Sequence, residues 1–296
     1  MIRRMLILAL LLGSLGVAGS ATPLVYGTGY SGPYKGATLY SISPLTGSAR
    51  AVGSIGFAQV GALAFAPNGS LFGVGQNGAS KWVLLKIDLI SGAGTAVGPT
   101  GLGTPFQDIS FRSDGTLFGY VRSAAAQSKA GLVYAINANT GAARLVGNTV
   151  SGFDGDAPVA FSSENLLYAV NGQGLRTISA VNAGPVTLLH SSSALANSSA
   201  NTLKFDASSG KLWAFVGNHG DSGANYLAQI DVKTGKVAPV GQTAPDLRGL
   251  AVLEPRAGDP VPLPSSLLFL ITGALALLGW SRWSRSSRFL PKNYRA

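Results

Sequence analysis

Between Thr22 and Arg256 the chain repeats itself with a period in roughly the mid-forties, a spacing that points to stacked or radially arranged modules. One unit runs Gly61-Ala-Leu-Ala-Phe65, a turn at Pro67-Asn68-Gly69, Ser70-Leu-Phe-Gly-Val74, Val83-Leu-Leu-Lys-Ile-Asp88, a turn at Ser91-Gly92, and Thr95-Ala-Val-Gly98. The next repeats these steps as Asp108-Ile-Ser-Phe111, Thr116-Leu-Phe-Gly119, Leu132-Val-Tyr-Ala-Ile-Asn137, Thr140-Gly141 and Arg144-Leu-Val-Gly147. A third gives Val159-Ala-Phe161, Leu166-Leu-Tyr-Ala169 and Thr177-Ile-Ser-Ala-Val181, with a degenerate turn at Ala183-Gly184. A fourth gives Leu203-Lys-Phe205, Leu212-Trp-Ala-Phe215, Leu227-Ala-Gln-Ile-Asp231, Thr234-Gly235 and Val240-Gly241.

Each unit holds four short runs rich in β-branched and aromatic residues, separated by Asn-Gly, Asp-Gly or Thr-Gly turns. A four-stranded sheet cannot bury both faces alone, so the units must pack on one another, and a ring also protects their edges. Leu250-Ala-Val-Leu253 reads as an innermost strand with nothing after it. Leu24-Val-Tyr-Gly27, Leu39-Tyr-Ser-Ile42 and Ala51-Val-Gly53 read as three strands lacking an innermost one. Joined, they complete a fifth unit that closes the ring. The expected fold is all-β: a β-propeller of five four-stranded blades, about 20 strands, over residues 22–256.

Charge is informative through its distribution. The net charge of +10 suggests a nucleic-acid partner, but seven of the 22 basic residues lie in the two ends: Arg3, Arg4, Arg282, Arg285, Arg288, Lys292 and Arg295. Removing them leaves 15 bases against 12 acids, without a dense cationic patch to follow a phosphate backbone, and no nucleic-acid partner is expected. Cysteine is absent, which excludes thiol catalysis, disulfides and thiolate zinc sites.

The ends read as addresses. Met-Ile-Arg-Arg, an apolar Met5–Leu12 and the small-residue run to Ala21 form the three parts of a secretory signal peptide, residues 1–21, for signal peptidase to remove. After a Pro-rich linker at 257–264, the apolar run Leu267–Trp280 predicts a membrane helix over 265–281, its apolar part about 21 Å long. A basic tail at 282–296 then stays cytoplasmic by the positive-inside rule.

Val261-Pro262-Leu263-Pro264, the apolar helix, and Arg282 and Arg285 together resemble the PEP-CTERM sorting signal of Gram-negative bacteria. The match covers residues 260–288, and Leu263 stands where that family carries glutamate. The resemblance implies recognition by an exosortase, cutting near the motif, and release from transient inner-membrane anchorage to the periplasm, outer surface or extracellular matrix. The logic parallels other tails that are read and then removed.

Loops entering the innermost strands and those following the second strands share one face of such a ring. That face gathers Asp108, Asp154, Asp156, Asn201, His219, Asp246 and Arg248 as candidate channel-mouth residues. Carboxylates around a channel suit a cation such as calcium, a sugar, or acid/base work; Asp154-Gly155-Asp156 lacks the further ligands of a recognised calcium loop. Gly27-Thr-Gly29-Tyr-Ser-Gly32 has the letters of a dinucleotide motif but no helix follows it. Gly220-Asp221-Ser222-Gly223 resembles a serine-protease nucleophile segment, yet His190 and His219 are the only histidines and both are expected in loops of the wrong repeat frame. No catalytic residue, cofactor or metal is assigned. The expected role is non-enzymatic: an exported propeller binding matrix polysaccharide or a surface protein. The alternative is an extracytoplasmic glycan hydrolase or lyase with acids at the channel mouth.

Overall fold

Short apolar runs punctuated by glycine turns have one economical solution, the antiparallel hairpin, and the described residues adopt it. The structure, a computed structural model, describes residues 22–30, 35–122, 131–148, 158–171, 174–179, 186–191, 198–218 and 225–253. Its strands are β1 (Leu24–Gly29), β2 (Gly36–Ile42), β3 (Ala49–Phe65), β4 (Leu71–Gln76), β5 (Trp82–Ile87), β6 (Gly94–Pro99), β7 (Asp108–Phe111), β8 (Leu117–Arg122), β9 (Gly131–Ile136) and β10 (Ala143–Asn148). They continue with β11 (Val159–Phe161), β12 (Leu167–Asn171), β13 (Gly174–Ile178), β14 (Val186–His190), β15 (Ser198–Asp206), β16 (Lys211–Asn218), β17 (Asn225–Asp231), β18 (Val237–Gln242) and β19 (Leu247–Leu253).

Three sheets are four-stranded meanders: β7 to β10, β11 to β14 and β15 to β18. The fourth has seven strands in the order β19-β1-β2-β3-β4-β5-β6. It contains two meanders because β3 serves both. Ala49–Ser54 pair with β2, and Ala62–Phe65 pair with β4. The 17-residue β3 thus replaces the two strands the repeat predicts, giving 19 elements. The terminal strands pair antiparallel, Leu24 opposite Leu253 and Thr28 opposite Gly249. The innermost strands touch in the cyclic order β19, β3, β7, β11, β15 and back to β19. The arrangement is all-β and propeller-like. No helix among the described residues is long and apolar enough to cross a membrane, and the tail at 254–296 lies outside the described residues.

The cores lie between sheets. Ala62, Ala64, Phe72 and Leu84 pack on Ile109, Leu117 and Ile136, while Phe118 and Val133 pack on Val159, Phe161 and Leu167. Trp213, Phe215 and Leu227 meet Val25, Ile42 and Leu250 across the closing seam. Burying each large side chain contributes on the order of 1.5–3 kcal/mol. The last apolar residue of an innermost strand meets an aromatic residue from the second strand of its neighbour. Phe111 lies 5.5 Å from Phe72, Phe161 lies 5.1 Å from Phe118, and Phe205 stacks on Tyr168 at 6.0 Å, measured between ring centroids. The Leu-x-Phe pattern is therefore an inter-sheet contact as well as a strand signature.

A second recurring contact joins the outer parts of the sheets. Each outermost strand carries one unpaired residue at the same place: Val52, Val97, Val146, Leu189 and Val240. Such a bulge bends the strand and increases its twist. After it comes Gly53, Gly98, Gly147 or Gly241, or, on β14, His190. At Gly98 the next sheet's Thr140-Gly141 turn approaches so closely that a Cβ would lie 2.1 Å from the Thr140 carbonyl oxygen. Gly53 against Ser91 and Gly241 against Thr46 repeat the contact at 2.0 Å each. At the β14 seam His190 stands instead against Gly235, and its Nε2 bonds the Val232 carbonyl at 3.1 Å. His190 thus ends a strand instead of lying in the expected loop.

Replacing Gly98 with alanine should cost about 1–3 kcal/mol, because the obstacle is backbone and cannot swing away. Gly103→Ala, where nothing lies within 4 Å, should change stability by no more than about 0.5 kcal/mol. Urea unfolding of the two variants measures the difference.

Candidate functional site

At the centre of the ring the innermost strands carry mostly small residues: Ala62 and Ala64 on β3, Ala160 on β11, Gly249 and Ala251 on β19. The strands β7 and β15 depart from this with Asp108 and Ser110, and Thr202 and Lys204. These two strands are separated in the ring by β11. Lys204 reaches Asp108. Its Nζ donates to Asp108 Oδ1 at 2.6 Å and to the Leu203 carbonyl at 2.7 Å. Asp108 Oδ2 accepts from the Leu203 amide at 3.0 Å and the Thr202 hydroxyl at 3.2 Å, while Oδ1 also accepts from the Ile109 amide at 2.9 Å.

Asp108 is fully buried and Lys204 nearly so. Burial pushes the Asp108 carboxyl up and the Lys204 ammonium down, and the charge of each opposes the shift of the other. Removing one partner would leave a buried charge uncompensated, whereas removing both leaves little electrostatic debt. Nearby, Ser110 Oγ accepts the Phe161 amide at 3.0 Å. At the closing seam Thr28 Oγ1 donates to the Val60 carbonyl at 2.6 Å and accepts the Gly249 amide at 3.1 Å. Ser110 thus ties two sheets together, while Thr28 ties β1, β3 and β19 within the seven-stranded sheet.

The mouth is formed where innermost strands begin and second strands end. Arg248, exposed on β19, holds its guanidinium 5.9 Å from the centroid of the Tyr30 ring. Tyr30 is half-buried; desolvation raises its phenol and Arg248 opposes the rise, so at neutral pH it remains a hydrogen-bond donor. Asp246 is exposed in the turn before β19 with φ of +58°, a left-handed conformation uncommon for a residue with a side chain. Gln59, leading into the second half of β3, has φ of +51°. Its Nε2 donates to Gln76 Oε1 at 3.3 Å, and Gln76 Nε2 donates to the Ser80 carbonyl at 3.1 Å.

The expected channel-mouth set is therefore divided. Asp108 is enclosed with Lys204; Asp246 and Arg248 are exposed; Asn201 sits at the register shift between Ala200 and Thr202 on β15. Asp154, Asp156 and His219 lie outside the described residues, as do Val261, Pro262, Leu263, Pro264, Arg282 and Arg285. Among the described residues no group of three or more His, Cys, Asp or Glu side chains could hold a metal ion. Sequence reasoning missed Lys204, although a lysine inside the Leu-x-Phe pattern, where β3 and β11 have alanine, was a visible signal. It also missed Tyr30 and Gln59, whose proximity follows only from ring closure.

No family model matches the chain, and no curated protein matches it. Solved structures do. TolB from Acinetobacter baumannii aligns with a TM-score of 0.51 and 14% identity over 82% of this chain and 58% of that one. The chain thus spans little more than half the length of that protein, and the likeness is one of fold. Regucalcin from Agrobacterium tumefaciens, a calcium-binding protein, aligns with a TM-score of 0.44 and 17% identity, over 79% of this chain and 81% of that one.

One further buried acid has a purely local task. Asp206 accepts from the Ser208 amide at 2.9 Å, the Ser209 hydroxyl at 2.8 Å and Trp213 Nε1 at 3.2 Å. Burial alone would raise its carboxyl, but these donors outweigh burial and hold it below the ordinary carboxylate value. Its contribution to stability is present above about pH 3.9 and is lost as pH falls through the lower folded value. Asp206→Asn should accordingly flatten the acid limb of a stability-versus-pH curve below about pH 4. For the central pair, Asp108→Asn and Lys204→Met should each cost about 3–5 kcal/mol. The double variant should cost less than either single change, as urea unfolding of the complete cycle would show.

Proposed function

We propose that the chain is an exported, five-bladed propeller with a non-enzymatic binding role toward extracellular polysaccharide or a surface protein. The five-blade count is supported by the cyclic contacts of β19, β3, β7, β11 and β15 and by the recurring bulge on each outermost strand. Residues 1–21 act as the signal for signal peptidase. The Val261-Pro262-Leu263-Pro264 segment, the apolar run to Trp280 and the arginines after it act as the exosortase-type sorting signal. The mature domain then works in the periplasm, on the outer surface or in the matrix.

The observation that carries the binding role is the state of Asp108. An acid poised for glycan hydrolysis must exchange protons with substrate or water. Asp108 instead engages Lys204, Thr202 and two backbone amides, out of contact with solvent. Recognition then belongs to the exposed rim, where Arg248 and Asp246 lie.

Intact mass and cell fractionation in a host carrying the exosortase test the export reading. A species beginning near Thr22 and ending near Pro264, found on the surface or in the medium, is expected. A species running to Ala296 in the membrane fraction would mean a permanent anchor and would overturn the sorting assignment.

A further inference from the structure

At the seam where β19 and β1 meet the second half of β3, several features converge. Arg248 is exposed and lies over Tyr30, and no carboxylate among the described residues forms an ion pair with it. Gly61 stands beside the phenol: a Cβ there would lie 3.6 Å from Tyr30 Oη, so the absence of a side chain leaves a notch at the ring edge. Gln59 gives one amide hydrogen to Gln76, leaving its Oε1 and second hydrogen for another partner. The Gln59 amide bonds the Lys35 carbonyl at 3.4 Å, which fixes the backbone of the exposed Lys35 beside the same strand.

The backbone supports a dedicated site. Gln59 and Asp246 are both left-handed and stand two residues before Gly61 and Arg248 respectively. Strain of this kind costs on the order of 1–3 kcal/mol per residue and persists where surrounding structure enforces it, often beside ligands. Here it recurs at matching places on the two innermost strands that flank one notch.

We infer that this seam binds the carboxylate-bearing sugars of an acidic, uronic-acid polysaccharide. The proposal rests on the binding role above and names its ligand class. A planar guanidinium presents paired donors that match a carboxylate in a bidentate fork. An aromatic face receives the C–H face of a sugar ring, and a phenol and a carboxamide exchange hydrogen bonds with hydroxyl groups. A neutral glycan would leave Arg248 without counter-charge. A nucleic acid needs a longer track of cations than this notch offers.

Isothermal titration of the full-length protein with polygalacturonate and alginate, against neutral dextran, tests the inference. Binding to an acidic polymer and not to dextran is expected, weakening with added salt. Arg248→Ala should weaken it about tenfold or more, and Arg248→Lys should restore only part of the loss. Tyr30→Ala and Gln59→Ala should weaken it less, and melting temperature should show that Arg248→Ala is folded. Dextran bound as tightly as the acidic polymers, with Arg248→Ala silent, would overturn the uronate assignment while leaving a polysaccharide-binding role standing. Acidic polymer bound equally by all the variants would place the site elsewhere and overturn this seam. No binding to either acidic polymer would overturn the inference outright.

Discussion

The constraint on which the rest of the structure depends is the bonding of Asp108 on β7 to Thr202, Leu203 and Lys204 on β15. Strands of one sheet hold one another through backbone ladders, and neighbouring sheets hold through apolar side chains. Neither links two innermost strands that are not neighbours. The ammonium on β15 and the carboxylate on β7 do so, past β11. Apolar contacts tolerate small sliding, but a buried charge pair has one acceptable geometry and a large penalty for missing it. The pair therefore sets the relative height of β7 and β15.

Away from the centre, the sheets meet through a close backbone contact. A bulge re-aims each outermost strand, and at Gly53, Gly98 and Gly241 the following glycine receives the backbone of the next meander's turn. Because the obstruction is main chain, the angle between sheets is set by covalent geometry and not by rotamers. The β14 seam departs from this with His190, whose imidazole hydrogen-bonds the Val232 carbonyl. This meander is also the one whose turn sequence, Ala183-Gly184, departs from the repeat.

Much of this was legible in the residues because hairpins are local. Asn68-Gly69, Asp114-Gly115 and Thr140-Gly141 announce turns, and the apolar alternation between them announces strands. The pairing of β1 with β19 was legible because each end lacked what the other supplied. Continuity of β3 was less visible: the repeat predicts two strands there, although residues 54–58 contain no strong turn signal. The Asp108–Lys204 pair was illegible for a different reason. The partners are 96 residues apart, and an aspartate before an apolar run reads equally well as a loop residue facing solvent. Similarly, Tyr30 and Arg248 lie at opposite ends of the sequence, and only closure of the ring brings them together.

The closing pair has a consequence for how the molecule can be held. Leu24 faces Leu253 at one end of the β1–β19 ladder, while Gly29 faces Leu247 at the other. Chain enters and leaves the ring side by side, about 20 Å along the strands from the Arg248 rim. A tether leaving from either terminus grips the same edge of the same seam. Load applied through either end would therefore fall on the one β1–β19 ladder, at the end away from Arg248.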